Sequence, residues 1–338
     1  MKRKIRAGII GCGNIAGWNE LDKAREKPCT HLGAYRRRED VEVVGCCDID
    51  IARAAKFAKQ FRIGFHTDSI NSLLSKRVDV LSICVPYTRH FSVLKAAINN
   101  TCRPRTVFLE KPISDDLNRA KEMVELCGRN KVRLFVNNRR LSAFYQAFKE
   151  AIKEKFDNQI LFVSAWCSSG MHAIGIHMID LLRSICGEVN WVFAVQEKES
   201  IRFLPYSHNY IPTDPRFCSL LAFRNGVKAA FFNTAKTDFT YFEIEVLCKN
   251  GRIRAINNCG KITYQEKLAP GESSLSYRLG GEKRVGFASR PLFEDLINEI
   301  IDGDYGKSPM RGEEALKSYL IIDSMKKSTR TNRIQPVR

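Results

Sequence analysis

Residues Ile5–Ile10 form a short apolar run that stops at Gly11-Cys12-Gly13-Asn14-Ile15-Ala16, and this junction constrains the fold more than any other stretch. A strand that ends on Gly-x-Gly and passes into a helix-like segment opens a β-α-β unit. The same alternation then repeats. Val41–Cys47 is a second apolar run, closing on Asp48, with helical spacing over Ile51–Phe61. Val78–Val85 ends at Pro86, and Phe91–Asn99 reads as a helix. Thr106–Leu109 ends at Glu110-Lys111-Pro112, Asp115–Arg129 is helical, and Val132–Asn137 is a fifth strand. Strands separated by helices of about 10–15 residues predict a parallel sheet with right-handed crossovers.

The second half is built differently. A helix over Ala143–Lys155 precedes a strand-like alternation at Gln159–Cys167, and Gly175–Cys186 carries apolar residues at helical spacing until Gly187 stops it. Asn225-Gly226 and Asn250-Gly251 each lie between β-rich runs and predict hairpins. Ser200–Arg216 reads as a long irregular loop, and late helices are expected over Leu292–Ile301 and Glu313–Lys326. The expected architecture is α/β: an N-terminal Rossmann doubly wound parallel sheet over 1–136, then an α+β domain with an open, mainly antiparallel sheet over 137–338.

Composition narrows the function classes. With 44% hydrophobic and 27% charged residues among 338, the chain buries enough apolar surface to fold. No apolar run reaches the ~18 residues of a membrane span, and the basic N-terminus runs into too short an apolar stretch for an export signal. The cysteines, 12 in all, show no C-x-x-C pair and no zinc-type spacing. They read as free thiols in a reducing cytoplasm, with no structural metal. Lys and Arg number 55 against 37 Asp and Glu, a net charge of +18 that favours anionic ligands such as phosphates and nucleotides. No nucleic-acid-binding motif accompanies it, so neither nucleic acid nor membrane is an expected partner.

Three groups of residues carry chemistry. Gly11 and Gly13 permit a tight turn in which backbone approaches a pyrophosphate. Asp48, about 35 residues after the turn instead of the usual ~20, is placed to accept hydrogen bonds from ribose hydroxyls and to repel a 2′-phosphate, which favours NAD over NADP. The added length lies in Trp18–Asp40, whose run Arg36-Arg37-Arg38 reads as a solvated face. Pro86–His90 and Glu110-Lys111-Pro112 both fall at carboxyl ends of expected parallel strands, where open α/β sheets bind ligands. Lys111 there can hydrogen-bond a carbonyl or alkoxide oxygen, or be half of an exposed ion pair with Glu110.

The glycine turn, Cys84-Val85-Pro86-Tyr87-Thr88-Arg89-His90, Phe108-Leu109-Glu110-Lys111-Pro112-Ile113, Val136-Asn137-Asn138-Arg139-Arg140 and Gly175-Ile176-His177-Met178-Ile179-Asp180 together resemble, in order, the motifs of the Gfo/Idh/MocA oxidoreductases. The resemblance implies a Rossmann domain, a second domain whose open sheet often serves as a dimer or tetramer interface, and hydride transfer between NAD(P) and a sugar, polyol or nucleotide sugar. It implies catalytic roles for Lys111, the electrophilic group, and His177, the acid/base. Gly11, Gly13, Asn14, Ile15 and Asp48 would contact the cofactor, with Pro86, His90, Glu110 and Lys111 at its nicotinamide end. Arg139, His172 and Asp180 are expected toward the substrate. His177 is expected in the first turn of its helix, where the macrodipole keeps an imidazole neutral.

One departure stands out. Where family dehydrogenases carry Asp four residues before the histidine, this chain has Ala173. Lys111 and His177 acting alone, a replacement polar group from His172, and a cofactor-binding protein that has lost its chemistry each accommodate this difference.

Overall fold

The structure is a computed structural model that describes residues 3–197, 214–233, 241–256, 260–267, 277–284 and 292–338. The chain divides into two compact units, residues 1–141 with 290–317 and residues 142–289 with 318–338.

In the first unit a six-stranded parallel sheet has the order β3-β2-β1-β4-β5-β6. Its strands are β1 (Ile5–Ile10), β2 (Val41–Cys47), β3 (His66–Thr67), β4 (Val80–Ile83), β5 (Thr106–Leu109) and β6 (Arg133–Val136). Helices α1 (His31–Arg36), α2 (Ile51–Gln60), α3 (Ile70–Leu74), α4 (His90–Ile98) and α5 (Leu117–Arg129) connect them. Four of the five begin at a side chain that accepts a backbone N–H: Thr30, Asp50, Ser69 and Asp116. The order reverses between β1 and β4, so the segments leaving β1, β4 and β5 stand together at the carboxyl edge, the place where such sheets bind ligands.

The expected boundary at 136/137 cuts the chain once, whereas residues 290–317 return to the first unit. Helix α8 (Leu292–Asp302) places Phe293, Leu296, Ile297 and Ile300 in one cluster with Ile9, Phe108 and Phe135. The segment after it closes on β6, where Val136 N donates to Met310 O (2.8 Å). An apolar stripe on α8 announces burial; only the packing shows which sheet receives it.

The second unit has a nine-stranded, mainly antiparallel sheet, with one parallel pair between β7 and β10. Its strands are β7 (Ile160–Cys167), β8 (Val189–Gln196), β9 (Phe217–Phe223), β10 (Lys228–Phe232), β11 (Phe242–Cys248), β12 (Gly251–Ile256), β13 (Lys261–Lys267), β14 (Tyr277–Arg284) and β15 (Gln335–Pro336). Helices α6 (Ala143–Phe156), α7 (Ile176–Cys186) and the later part of α9 (Gly312–Thr331) pack on one face through Phe148, Ile152, Leu181, Leu182, Ile322 and Met325. Both expected hairpins form. At Asn225-Gly226 the loop is a turn in which Gly226 N donates to Phe223 O and Gly226 takes φ +92°, a conformation glycine adopts without steric cost. The irregular loop expected over Ser200–Arg216 lies outside the described residues as far as 213.

Alternation leaves the other sheet face uncovered by these helices. Register places Val195, Cys218, Phe232 and Trp166 in one row across it, with Phe193, Leu220 and Ala230 in the next. Val195, Leu220, Phe232 and Leu247 are exposed.

Candidate active site

The two glycines of the turn meet different demands. Gly11 takes φ +90°, and a Cβ built on it would lie 2.7 Å from Cys84 C and 2.8 Å from Val85 N. The exits of β1 and β4 are thus packed so closely that no side chain fits. A Cβ at Gly13 would meet no protein atom within 4 Å. That flank of the backbone is open to a ligand, with exposed Asn14 and partly buried Ile15 beside it, and the arrangement fits a dinucleotide pyrophosphate.

The helix that should follow the turn is delayed. Ala16 N donates to Gly13 O, and the first α-helix after the turn starts only at His31, where Ile15 O accepts from His31 N (3.2 Å) and Ala16 O from Leu32 N (3.0 Å). Residues 17–30 form an excursion between the turn and this helix. Within it, Glu20 Oε1 accepts from Cys29 N (2.7 Å) and Thr30 Oγ1 (2.9 Å), and Lys27 Nζ donates to the carbonyls of Asn19 and Asp22, each at 2.7 Å. Trp18 Nε1 donates to Cys12 O, and its ring packs on Phe57 and Phe61. The excursion accounts for the long spacing between turn and Asp48.

Asp48 ends β2 and is buried. Its Oδ2 accepts from Cys12 N (2.9 Å) and its Oδ1 from Asp50 N (3.1 Å), so it ties down the glycine turn. Each carboxylate oxygen retains a lone pair for a ribose hydroxyl. Of the Arg36-Arg37-Arg38 run, Arg36 donates to Phe61 O, and Arg38 reaches Asp40, Asn298 and Asp302.

At the exits of β4 and β5 the chain is cross-braced. Pro86 precedes a short 3₁₀ turn, Tyr87–Arg89, which runs into α4. His90 is fully buried, with Nε2 3.0 Å from Val85 O and Nδ1 3.0 Å from Pro112 O. Burial lowers its pKa, although the surrounding carbonyls pull the other way. His90, expected to line the cofactor, clamps the Pro86 segment to the Lys111-Pro112 turn, whose peptide bond is cis. Glu110 Oε1 accepts from His31 Nε2 (2.8 Å) and Asn137 Nδ2 (2.7 Å). Burial alone would raise the Glu110 pKa, but hydrogen bonds from His31 and Asn137 and the charge of Lys111 outweigh it and hold the carboxyl below its ordinary range. Lys111 is partly exposed, and Arg139 is exposed in the segment after β6.

In the second unit one turn of π-helix, Met171–Gly175, leads straight into α7. His177 is the second residue of α7 and so lies in its first turn, as expected, but the π turn ahead of it extends the helical backbone back to Met171. At its start Met171 N donates to Pro215 O (2.9 Å), and the N–H groups of His172 and Ala173 both donate to the Asp214 carboxylate, at 2.8 and 2.9 Å. The helix end is therefore already capped by a charge, and the macrodipole cannot be assigned to His177. His177 is buried, and Tyr145 Oη donates to its backbone carbonyl (2.6 Å). His172 Nδ1 lies at ion-pair distance from Asp214 Oδ1 (2.9 Å), and its Nε2 is 3.3 Å from Lys326 Nζ. Asp180, expected toward substrate, is 2% exposed and accepts from Ser318 Oγ (3.1 Å), with Arg183 at 3.8 Å. It is a strut between α7 and α9.

Sequence reading missed His31, Asp214 and Lys326. Nothing local marks His31 as the start of a helix held to Ile15, or Asp214 as the acceptor for the π turn before α7; only Lys326 lay in an expected helix. Among the described residues, no three His, Cys, Asp or Glu side chains cluster so as to hold a metal ion.

Fold and site together define an oxidoreductase-type Rossmann domain joined to an α+β domain. Residues 5–138 match the oxidoreductase family with NAD-binding Rossmann fold, and residues 149–254 match the Gfo/Idh/MocA C-terminal domain. The chain belongs to the Gfo/Idh/MocA oxidoreductase family, and its first domain is that family's NAD-binding domain. It is 25% identical over 215 residues to D-apiose dehydrogenase of Paraburkholderia graminis, covering 58% of this chain and 53% of that protein. It is 26% identical over 204 residues to D-glucoside 3-dehydrogenase of Escherichia coli, covering 54% of each. The match spans about half the length of these relatives. The WlbA dehydrogenase from Bordetella pertussis, solved with NADH and UDP-GlcNAcA, shares the fold over 99% of both chains, with TM-score 0.75 and 21% identity.

Proposed function

We propose that the protein is an NAD-dependent oxidoreductase that moves hydride between the nicotinamide and a hydroxyl or ketone carbon of a sugar or nucleotide sugar. The observation that carries this reading is the convergence at one sheet edge of the open Gly13 flank, Asp48, and the braced Glu110-Lys111 turn. Family membership and the two sugar dehydrogenases among the relatives support the substrate class. The +18 charge tilts the substrate toward a phosphorylated or nucleotide-linked sugar.

Bound NAD supplies the hydride acceptor at the nicotinamide. Gly11, Gly13, Asn14 and Ile15 would hold its phosphates, and Asp48 would accept from the ribose hydroxyls. Pro86 and Glu110 shape the nicotinamide end, with Lys111 beside them. In oxidation, with NAD bound, an imidazole nitrogen of His177 would take the substrate O–H proton, and the Lys111 ammonium would donate a hydrogen bond to the oxygen that becomes a carbonyl. Reduction reverses both. Arg139 and His172 are assigned to the substrate side.

A second copy of the chain is proposed to cover the apolar sheet face in a dimer or tetramer. A cytoplasmic location is proposed from the thiols, all free among the described residues, with burial pushing Cys47 and Cys167 up to about 12. No helix of the described residues is long and apolar enough to cross a membrane.

Stoichiometric protein loaded with NAD or NADH, mixed with sugars, polyols, sugar phosphates and nucleotide sugars, gives an absorbance change at the nicotinamide with one class. Lys111→Ala abolishes that change while NAD affinity stays within a few-fold; wild-type rates in this variant would refute the assignment. Ala173 favours a second reading, a binding protein without redox chemistry, for which a sugar binds and the nicotinamide absorbance never changes.

A further inference from the structure

A chain of buried polar side chains runs behind Glu110. Tyr35 Oη is 2.8 Å from Ser82 Oγ, Ser82 Oγ is 2.9 Å from His31 Nδ1, and His31 Nε2 is 2.8 Å from Glu110 Oε1. Tyr35, Ser82 and His31 are fully buried. The carboxylate at the end accepts only, so a neutral His31 carries its proton on Nε2 and its Nδ1 accepts from the Ser82 hydroxyl. Ser82 Oγ in turn accepts from Tyr35, whose hydroxyl burial keeps protonated. Every bond then points the same way, and the chain ends on Glu110. Phe108 and Phe293 pack against the imidazole, with centroids at 4.3 and 5.4 Å, and fix its plane.

The chain trace adds a second observation. After the excursion over residues 17–30 the chain returns to the glycine turn, where the first N–H groups of α1, those of His31 and Leu32, donate to Ile15 O and Ala16 O and fix His31 beside the turn. These bonds hold His31 at the start of α1 with its imidazole on Glu110.

We propose that His31 is a positioning residue: acting through Glu110, it keeps a fixed negative charge beside Lys111 and so holds that lysine as an ammonium. The claim rests on the reading above that Lys111 serves the reaction. Oε1 is saturated by His31 and Asn137, which leaves the carboxylate ionised in a place where burial would otherwise protonate it. The other titratable groups that feel Glu110 are Lys111, His90 and Cys84. Burial keeps His90 from charging readily and pushes the Cys84 thiol well up, so of these three Lys111 is the cation set against the Glu110 carboxylate.

The test is competitive acetylation of the intact protein with acetic anhydride across pH, with the Lys111 peptide read by mass spectrometry. In wild type, Lys111 is acetylated slowly at pH 7, as a charged amine. His31→Phe removes the donor, Glu110 takes up a proton, and Lys111 labelling at pH 7 rises on the order of tenfold, one pKa unit. Glu110→Gln gives the same rise. His31→Gln, whose amide N–H can still donate to the carboxylate, restores the wild-type profile. Should His31→Phe fail to fold, His31→Asn, too short to reach Glu110, takes its place with the same expected rise. A wild-type labelling profile in folded His31→Phe or His31→Asn overturns the proposal. Turnover of Lys111→Ala tests the underlying reading separately, since labelling reports the lysine's charge whether or not it is catalytic.

Discussion

Replacing the two glycines of the turn by alanine, one at a time, separates their tasks. Gly11→Ala puts a Cβ 2.7–2.9 Å from backbone atoms of Cys84 and Val85, at φ +90°. The left-handed backbone costs about 1–2 kcal/mol for an L-residue. Forcing apart two strand exits that cannot yield like a flexible side chain adds about 1–3 kcal/mol. The expected loss is about 2–5 kcal/mol, which in a domain of this size lowers Tm by roughly 4–20 °C. Gly13→Ala meets no protein atom within 4 Å. Its stability is therefore unchanged, or higher by about 0.4–1 kcal/mol from the stiffer unfolded chain. Its methyl stands where backbone must approach the pyrophosphate, so NAD binding weakens by at least about tenfold, or 1.4 kcal/mol. Thermal melts and calorimetric titration with NAD read the two effects independently. A Gly13→Ala protein that melts like wild type and binds NAD within about twofold would refute the placement of the pyrophosphate. A Gly11→Ala protein with an unshifted Tm would refute the steric reasoning.

Three further outcomes are expected. Arg183 is fully buried between Glu188, Ser318 and Asp180, so Arg183→Met strands the Asp180 carboxylate and costs about 3–5 kcal/mol, seen as a lower urea midpoint; a change under about 1 kcal/mol would show that the network is not holding α7 to α9. His90 is harder to protonate in the fold than at its ordinary value of 6.5, so the unfolded chain binds more protons and the His90 contribution, present above pH 6.5, is lost as pH falls through the lower folded value. Glu110 adds acid sensitivity only below its ordinary 4.5, so the Tm difference between pH 7.5 and pH 5.5 shrinks in His90→Gln, and an undiminished difference would assign that sensitivity elsewhere. Leu220→Glu combined with Phe232→Glu places charge on the apolar sheet face, and light scattering is expected to show an oligomer for wild type and a monomer for the variant; a monomeric wild type, or an oligomer unaltered in the variant, would refute this face as the interface.

Much of the scaffold was legible from local pattern. The apolar runs of β1, β2 and β5 were bounded by their neighbours in sequence, because a strand buried on both faces needs consecutive apolar residues and the turn chemistry after it is local. Gly11, Gly13, Asp48 and Lys111 stand at strand ends, so locating the strands located them. Ala173 was legible too, since the loss of a carboxylate is visible in the letters. Three things were decided only in the folded chain. Whether α8 covers the first sheet or the second depends on which apolar surface is within reach, and its stripe is silent on that. The start of the helix before His177 depends on a π turn and on the Asp214 carboxylate, which comes from outside that stretch of chain. His31 lies beyond an excursion whose hydrogen bonds join residues 15 and 31, so its place against Glu110 follows from closure of the backbone in space and from no periodicity in the sequence. Short-range patterning encodes which residues become strands and helices, whereas the partners of a buried polar group are set by long-range packing, because burial in three dimensions obliges each such group to find them.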